Sequence, residues 1–379
     1  MPTIDRRNFT RLSALALAAT QVPSFAQSPA SGEKPGSPTS ESARRGDKPV
    51  GFAAIGLGTI SDIFMRACAK TQTAKITALV TGHPETKGKK YAAMYGIPES
   101  SIYTYQTFDR LRENKDVEAV YVGLPNSMHR EYTVRAAQMG KHVLCEKPMA
   151  ISSTECSEMI AACRTAGVKL MIAYRVHYEP THLEAQRIIQ SGALGELQAF
   201  EGAFGFNATP NQWRLTRQYG GGGPLMDVGI YPMNEIRWLL GEEPTAFTAV
   251  ATTRDHTSGR FADVEQTLDF TLKFPSGIVA ALGCTYGSQM PGFLRIHGDK
   301  ASLQIDNAYN YQGVHLSNLG GPHVDITTQG EQTLHFQIEA EHFANCIRTG
   351  VTPKTPGEEG LHDLLAIEAI YKAAGTPIA

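Results

Sequence analysis

The sequence is poor in cysteine, and the few cysteines present are not arranged like metal ligands. Six cysteines occur among 379 residues, and no two of them form a Cys-x-x-Cys pair. No spacing of histidine and cysteine typical of a zinc site is found either. Because the chain is long and the spacing irregular, we expect six buried thiols rather than a disulfide framework, and no bound metal.

Strong net charge and long apolar runs are also missing. Lysine plus arginine total 35 and aspartate plus glutamate 37, so the formal net charge is −2. A near-neutral protein is not expected to bind nucleic acid or an anionic membrane. The apolar stretch from about Leu12 to Val22 is shorter than the roughly 20 residues that a membrane-spanning helix requires.

The N-terminus, MPTIDRRNFTRLSALALAATQVPSFAQ, has the features of a twin-arginine export signal. Arg6 and Arg7 precede the apolar stretch, and Ser24-Phe25-Ala26 offers small residues for cleavage, which would remove residues 1–26. An ordinary amphipathic helix is the alternative interpretation. The twin-arginine route carries folded proteins, so the signal predicts a periplasmic protein that uses this export machinery and does not contact the membrane after cleavage.

Composition divides the rest of the chain into an arm and two expected domains. Residues 27–48 are rich in proline, serine, glycine and charge, which predicts a linker or an arm that lies on another surface. Cleavage would leave 379 − 26 = 353 residues, a length that suits two domains. We expect these domains at 49–173 and 174–379.

A glycine-rich turn between a strand and a helix is typical of dinucleotide-binding proteins. The apolar strand VGFAAIGLG ends in such a turn, and a helical stretch and a second strand, KITALV at 75–80, follow. The first glycine of this pattern allows the tight turn, and the second lets the backbone approach a pyrophosphate. Ser61 stands where the pattern has Gly or Ala. The context favours dinucleotide binding over a generic tight turn, through Gly56, Leu57, Gly58, Thr59 and Ile60.

The end of the second strand favours NADP over NAD. NAD enzymes carry an acidic residue there for the ribose 2′-hydroxyl, whereas this strand ends in Val80-Thr81-Gly82-His83. Thr81 can donate a hydroxyl, and three following lysines would attract a 2′-phosphate: Lys87, Lys89 and Lys90. A solvated basic helix is the alternative for these lysines. We expect Thr81, Gly82 and Lys87 to contact NADP.

Strand and helix patterns alternate as far as KLMIAYR at 169–175. EAVYVGLP at 118–125 and KHVLCEKP at 141–148 are apolar strands, and Ser152-x-x-Glu155 has the spacing of a helix N-terminus. This alternation predicts an α/β fold with a mainly parallel, doubly wound sheet. The C-terminal half has several strand-like segments between turn residues, and a predicted helix at 182–196.

Six longer motifs follow one another along the chain. They are IGLG at 55–58, LPNSMH at 124–129, GKHVLCEKPMA at 140–150, KLMIAYRVHYEP at 169–180, QWRLTRQYGGGGPLMDVGIYPMNEIRWLLGEEP at 212–244 and PGEEGLHDLLAIEAIYKAA at 356–374. Together they make the chain resemble the Gfo/Idh/MocA oxidoreductase family, in particular its glucose–fructose oxidoreductase branch. The resemblance implies a Rossmann domain and a C-terminal α+β domain with a large open, mostly antiparallel sheet. In the family one face of that sheet meets another subunit, which implies a homodimer or homotetramer.

The resemblance also implies three catalytic residues: Lys147 of the Glu-Lys-Pro motif, Asp227 and Tyr231. An i, i+4 spacing puts Asp227 and Tyr231 on one face of a helix. A free phenol is a weak base near neutral pH, and a nearby lysine ammonium favours its ionised form. We therefore expect Tyr231 to remove the proton of a sugar C1 hydroxyl. Asp227 would orient Lys147 or bind a sugar hydroxyl.

Further positions match those that contact cofactor or sugar in the family. The sugar is expected to touch His177, Asp227 and Tyr231, although a structural role for His177 is an equal alternative. Thr86 stands where the resembled branch has a lysine, with Lys87 adjacent. The matching cofactor positions are Tyr105, Leu124, Pro125, Asn126, His129, Glu146, Lys147, Arg175, Trp213 and Arg214, with Tyr309 or Tyr311 as a further candidate.

A retained cofactor would explain the export of a folded protein. Free NADP is scarce outside the cytoplasm, so tightly bound NADP(H) would be reoxidised on the enzyme by a second substrate. We expect one aldose to be oxidised at C1 to its lactone and a second sugar or ketose to be reduced, in a ping-pong cycle. The alternatives are an NAD-dependent glycosidase of the same superfamily, a sugar or polyol dehydrogenase with a dissociable cofactor, and a non-catalytic sensor.

Overall fold

The computed structural model describes residues 48–320, 325–327 and 332–378. The predicted signal peptide at 1–26, and the predicted arm apart from residue 48, lie outside these ranges. Within them the strands form two sheets, one in each half of the chain.

The first sheet has six parallel strands within the described ranges. In chain order they are β1 (Val50–Ile55), β2 (Ala74–Val80), β3 (Ile102–Tyr103), β4 (Ala119–Val122), β5 (His142–Glu146) and β6 (Leu170–Ala173). Their spatial order, β3-β2-β1-β4-β5-β6, is that of a Rossmann fold. The helices between them are α1 (Thr59–Cys68), α2 (Lys89–Tyr95), α3 (His129–Gln138) and α4 (Ser153–Ala166). The predicted doubly wound N-terminal domain is confirmed.

The first sheet is buried on both faces, which explains its uninterrupted apolar strands. All six residues of β1 are buried, and Phe52 packs edge to face on Phe64 of α1 at 5.7 Å. Phe64 also stacks on Tyr121 of β4, with 3.9 Å between ring centres. The predicted N-terminus of α4 is confirmed, because Ser152 Oγ accepts a hydrogen bond from Glu155 N at 3.2 Å.

The second sheet is large and mostly antiparallel, as the family resemblance implies. Its eight strands among the described residues are β7 (Leu197–Gly205), β8 (Ala246–Thr252), β9 (Thr267–Lys273), β10 (Val279–Thr285), β11 (Met290–Gly298), β12 (Ser302–Asp306), β13 (His315–Gly320) and β14 (Asp325–Thr327). The spatial order is β14-β13-β12-β11-β7-β10-β9-β8, in which β7 and β10 pair in parallel and the other neighbours are antiparallel. Buried residues alternate along β9 with more exposed ones, so one face of the sheet is packed and the other open.

Five helices follow the first sheet within the described residues. They are α5 (Pro180–Gln190), α6 (Arg217–Gly220), α7 (Ile230–Leu240), α8 (Leu334–Thr349) and α9 (Gly357–Ala373). The predicted helix at 182–196 was too long, because Gly192 adopts a positive φ of 73° just after α5. Helix α8 packs on α1, and α9 packs on α4. The last two helices therefore complete the layers of the first domain, although the expected limits 49–173 and 174–379 assign them to the second.

The six cysteines are all buried free thiols, as predicted. Within the part of the chain that the structure describes, no helix is both long and apolar enough to cross a membrane. The same residues include no group of three or more His, Cys, Asp or Glu side chains placed to hold a metal ion.

Candidate active site

The turn after β1 has the backbone geometry of a dinucleotide site. Gly56 has a φ of 78°, and a Cβ there would lie 2.6 Å from the Gly123 carbonyl oxygen, so only glycine fits. Gly58 begins α1 without a side-chain cap, and a Cβ there would meet no described atom within 4 Å. The N-terminus of this helix therefore has open space beside Gly58, which suits a pyrophosphate.

Ser61 is accommodated by a glycine from a neighbouring strand. Its side chain is fully buried, and a Cβ at Gly123, directly after β4, would lie 2.3 Å from Ser61 Oγ. The third position of the turn pattern normally keeps helix and strand close together by being small. Here the missing side chain at Gly123 supplies the space instead.

Lys87 is the lysine that reaches the dinucleotide turn. It lies in a π-helical turn, Pro84–Gly88, and its Nζ donates a hydrogen bond to the Leu57 carbonyl oxygen at 3.3 Å. Lys89 instead pairs with Glu85 at 2.9 Å. Of these two lysines, only Lys87 therefore lies beside the glycine turn, and Lys89 forms a surface ion pair.

The other residues expected at the end of β2 also come together. The Oγ1 of Thr81 accepts a hydrogen bond from His83 N at 3.1 Å, which leaves its hydroxyl proton free to donate. The ring of Tyr105 lies over Gly82, where a Cβ would be 3.4 Å from Tyr105 Cε2. Tyr105 is therefore placed at the rim of the same site as Lys87.

The loops after β4 and β5 are joined by a buried histidine. The two ring nitrogens of His129 lie 2.9 Å from the carbonyl oxygens of Leu124 and Pro148. Asn126 is also buried, and its Nδ2 donates to the Gly220 carbonyl oxygen at 2.9 Å. Since His129 is fully buried, it positions these loops, and its expected contact with the cofactor stays a prediction.

The three expected catalytic residues meet at the carboxyl end of β5. Lys147 follows β5, Asp227 lies in the π-helical turn Leu225–Gly229, and Tyr231 is in the first turn of α7. Lys147 Nζ donates hydrogen bonds to the Asp227 carbonyl oxygen at 2.8 Å and to its Oδ1 at 3.3 Å. The same Nζ lies 4.4 Å from the centre of the Tyr231 ring.

Asp227 is surrounded by donors. Its Oδ2 accepts hydrogen bonds from Arg214 Nη1 and, at 3.0 Å, from the Tyr286 hydroxyl. Burial alone would raise the pKa of Asp227, but Arg214 and Lys147 outweigh it and lower that pKa to about 2. Asp227 is thus an anion that fixes two cations, and it is not suited to donate a proton.

Lys147 stays charged in this setting. Burial lowers its pKa, but Tyr231, Asp227 and Glu146 raise it more, so the pKa of Lys147 lies above its usual value. Glu146 itself accepts a hydrogen bond from the buried Tyr121 hydroxyl at 2.5 Å. The ammonium of Lys147 is therefore available to stabilise an anion in the site.

Aromatic rings and a second cation enclose Tyr231. Its ring stacks against Tyr309 at 5.4 Å with 25° between the planes, and Phe204 lies edge-on at 6.0 Å. The guanidinium of Arg175 lies 4.9 Å from the centre of the Tyr231 ring and 4.7 Å from that of Tyr311. Of the two tyrosines considered from sequence, Tyr309 packs on Tyr231. Tyr311 packs on Phe336, against the same small apolar cluster as Ile60.

Trp213 and Arg214 border the site next to Asp227. They lie in a short turn, Trp213–Leu215, and the Arg214 guanidinium lies 5.1 Å from the Trp213 ring and 5.5 Å from the Phe206 ring. Arg214 therefore contacts both the Asp227 carboxylate and the Trp213 indole.

His177 is not brought to this cluster. Its Nε2 lies 2.8 Å from Asn234 Oδ1, and its ring stacks on Trp238 at 4.3 Å. Burial, and then the charge of Lys354, lowers the pKa of His177 to about 3, so the ring is neutral. These contacts favour the structural alternative over a sugar contact.

Tyr286 was missed by sequence reasoning. It follows β10, 59 residues after Asp227 in the chain, and it lies in no recognisable motif. The buried side chain of Tyr286 reaches the Asp227 carboxylate only because the second sheet packs against α7.

The six-stranded sheet, the open glycine turn and the adjoining lysine define a dinucleotide-binding protein. Residues 50–174 match the model of an oxidoreductase family with an NAD-binding Rossmann fold, and residues 182–304 match the GFO/IDH/MocA C-terminal domain. The chain belongs to the GFO/IDH/MocA oxidoreductase family and contains its NAD(P)-binding Rossmann domain.

Relatives in this family match most of the chain. A D-xylose 1-dehydrogenase [NADP(+)] of Haloarcula marismortui is 32% identical over 345 residues, which cover 87% of this chain and 92% of that protein. A 1,5-anhydro-D-fructose reductase of Ensifer adhaerens is 27% identical over 327 residues, covering 85% and 95%. The crystal structure of an aldose–aldose oxidoreductase from Caulobacter crescentus with glycerol is 44% identical, covers 86% of this chain and 98% of that one, and superposes with a TM-score of 0.82.

Proposed function

We propose that the protein is a sugar oxidoreductase with tightly bound NADP(H). It oxidises an aldose at C1 to the lactone and then reduces a second sugar or ketose, in a ping-pong cycle. The observation that carries the proposal is the contact of Lys147 with both Asp227 and Tyr231 at the edge of the sheet where the dinucleotide turn lies. The 44% identity to an aldose–aldose oxidoreductase supports the substrate class.

The residues present fit NADP. The turn at Gly56 and Gly58 leaves room for a pyrophosphate, and the Lys87 ammonium beside it would neutralise a 2′-phosphate. β2 ends at Val80 and Thr81 follows, so there is no carboxylate at this point to repel that phosphate. When bound, the nicotinamide would accept a hydride from one sugar and supply it to the next.

Tyr231, Lys147 and Asp227 have different roles in the proposed proton transfer. Tyr231 takes the proton of the sugar C1 hydroxyl, and the Lys147 ammonium stabilises the resulting charge distribution. Asp227 holds Lys147 and Arg214 in place through its two oxygens. In the second half-reaction Tyr231 returns the proton to a carbonyl oxygen.

A dehydrogenase with a dissociable cofactor is the second candidate, favoured by the similarity to a D-xylose 1-dehydrogenase. The glycosidase alternative is less favoured, since it would be expected to have a histidine where Tyr231 stands and an acid after β2. A sensor would not need the Lys147–Tyr231 contact.

Export and assembly form part of the proposal. The twin-arginine signal at Arg6 and Arg7 supports export of the folded holoenzyme to the periplasm. The open face of the second sheet, where Val250 is 69% exposed, supports a homodimer or homotetramer.

Spectroscopy of the purified, dialysed protein separates the candidates. Acid extraction should release near-stoichiometric NADP(H), and adding an aldose should produce the near-ultraviolet absorbance of the reduced cofactor. Adding a ketose should then remove that absorbance. Tyr231→Phe should keep the cofactor and slow both steps by about 10²- to 10⁴-fold. Turnover that depends on added NADP would support the dissociable-cofactor dehydrogenase, and bound NAD or wild-type rates in Tyr231→Phe would contradict the proposal.

A further inference from the structure

A buried acid–histidine pair lies one helical turn beyond Tyr231. Glu235 is in α7, four residues after Tyr231 and hence on the same helix face. Its Oε1 lies 2.5 Å from Nδ1 of His182 in α5, and both side chains are fully buried. The other ring nitrogen of His182 lies 2.8 Å from the Ala308 carbonyl oxygen.

This pair holds a proton inside the protein. Burial lowers the pKa of His182, but Glu235 and then Glu179 raise it more, so the net shift is upward. Because a carbonyl oxygen can only accept, Nε2 of His182 carries a hydrogen and donates it to Ala308. The pair therefore acts as a fixed donor to the segment after β12.

That segment, residues 307–311, is held at three successive carbonyl groups. His182 binds the carbonyl of Ala308, and Arg175 donates to the carbonyls of Tyr309 and, at 3.2 Å, Asn310. The Ala308 N–H in turn donates to the Gly292 carbonyl oxygen at 3.0 Å. Such a density of buried partners fixes the segment in one conformation.

Tyr309 of this segment contacts Tyr231, the proposed base. Its ring is 2% exposed and stacks on the Tyr231 ring at 5.4 Å. Burial, and then the carboxylate of Glu235, raise the pKa of Tyr309.

We propose that Glu235, His182 and Tyr309 are positioning residues for Tyr231. The contacts run from α7 through Glu235 and His182 to Ala308, and back through the Tyr309 ring to Tyr231. This inference rests on the proposed function, because it takes Tyr231 to be the base. A displacement of about 1 Å at a reacting group can lower a rate by about 10²-fold. Contacts that keep the Tyr231 ring in place should therefore keep the reaction fast.

Four variants test the proposal through the rate at which an aldose reduces the bound cofactor in one turnover. Glu235→Met removes the partner of His182, whereas Glu235→Gln can still donate to Nδ1 and keep Nε2–H on Ala308. Tyr309→Leu removes the stacked ring, whereas Tyr309→Phe keeps it. We expect E235M and Y309L to lose about 10- to 100-fold in rate with a nearly unchanged half-saturating sugar concentration. E235Q and Y309F should stay close to wild type.

The double variant E235M/Y309L provides the decisive comparison. Because both changes act through the placement of Tyr231, the double variant should be no slower than the slower single variant. Glu368→Gln is the matched control: this carboxylate binds Ser153 N at 2.7 Å and Ser153 Oγ at 2.8 Å, at the start of α4. It should change stability without changing the rate. Additive losses, or wild-type rates in E235M and Y309L, would overturn the proposal.

Hydrogen exchange gives a readout that needs no sugar. In E235M, the peptide that contains residues 307–311 should exchange faster, with unchanged exchange in β1 and β4. Unchanged exchange in that peptide overturns the positioning role whatever the substrate is. Faster exchange in a protein whose cofactor no sugar reduces would leave the positioning contacts in place and reject the proposed function instead.

Discussion

A single carboxylate organises the charges of the candidate site. Asp227 accepts hydrogen bonds from Lys147, Arg214 and Tyr286, and its low pKa follows from the two cations. Hydrogen bonds from charged donors to a carboxylate are stronger than neutral ones, so these donors hold the Asp227 side chain in a fixed position. Lys147 is thereby kept within 4.4 Å of the Tyr231 ring.

Lys147→Met should slow sugar oxidation. Without the ammonium, the negative charge that forms as the sugar hydroxyl loses its proton is less stabilised, so the rate of this step should fall. The measurement is the rate of single-turnover cofactor reduction. Lys141→Met is a matched control, since Lys141 precedes β5 as Lys147 follows it and binds the carbonyl oxygens of Asn114 and Val117. A K147M rate that coincides with wild type would exclude the electrostatic role.

At the scale of elements, the site is assembled from the loops after parallel strands. β1 supplies the glycine turn, β2 leads to Lys87, and β5 leads to Lys147, because carboxyl ends of parallel strands share one edge of the sheet. Helix α7 then brings Tyr231 from the second half of the chain. The tie between Leu124 and Pro148 through His129 keeps two of these loops in fixed relation.

Lys87→Ala should weaken retention of NADP more than retention of NAD. A hydrogen bond to a charged group contributes about 1.5–3 kcal/mol, which corresponds to about 10- to 100-fold in affinity. The measurement is the Kd of both cofactors for stripped protein, by fluorescence or calorimetry. Lys89→Ala is the control, because Lys89 pairs with Glu85 and Glu99. Equal losses for the two cofactors would show that Lys87 does not recognise the 2′-phosphate.

Gly123→Ala should destabilise the first domain through its contact with α1. The new Cβ would lie 2.3 Å from Ser61 Oγ, and overpacking of this kind costs about 1–3 kcal/mol in the free energy of unfolding. Adding Ser61→Gly should restore most of that loss by removing the colliding atom. Denaturant unfolding of the two single variants and the double variant measures the effect. Additive losses in the double variant would argue against the direct Ser61–Gly123 contact as the cause.

At the scale of the whole molecule, the C-terminus completes the N-terminal domain. Ile172 N donates to the Thr355 carbonyl oxygen at 2.8 Å, and Thr355 Oγ1 donates to the Ile172 carbonyl oxygen at 2.6 Å. The segment before α9 therefore pairs with the edge strand β6. Phe343 of α8 packs against Phe52 at 6.2 Å. The cofactor domain is therefore complete only after the last helices have folded, which agrees with the proposed export of a finished holoenzyme.

Changing Arg6 and Arg7 to lysine should leave active protein in the cytoplasm. The twin-arginine pair is what directs a folded protein to its export route, and lysine keeps the charge while removing the pair. Cell fractionation followed by the sugar assay measures the distribution. Arg11→Lys, a change of the same kind outside the pair, should still be exported. Normal export of the double variant would remove the support for a periplasmic protein.

Much of the fold was predictable because its signals are local. The strand–turn–helix pattern at Gly56–Gly58 and the apolar strands up to β6 need only neighbouring residues to be read, and the structure confirms the Rossmann sheet they predict. The Glu-Lys-Pro and Asp-x-x-x-Tyr positions were equally visible, and the structure brings Lys147, Asp227 and Tyr231 together.

The tertiary structure decided which side chains face the site. Tyr286 and the pair of Glu235 with His182 carry no local signal, because their partners are 59 and 53 residues away in the chain. His129 and His177 match family positions, yet they are buried against backbone and indole. Sequence spacing sets the order and period of elements, whereas a side chain's burial and charge depend on groups that other elements bring to it in space. For this reason the class of protein follows from the sequence, and the contacts that hold the proposed catalytic residues follow only from the fold.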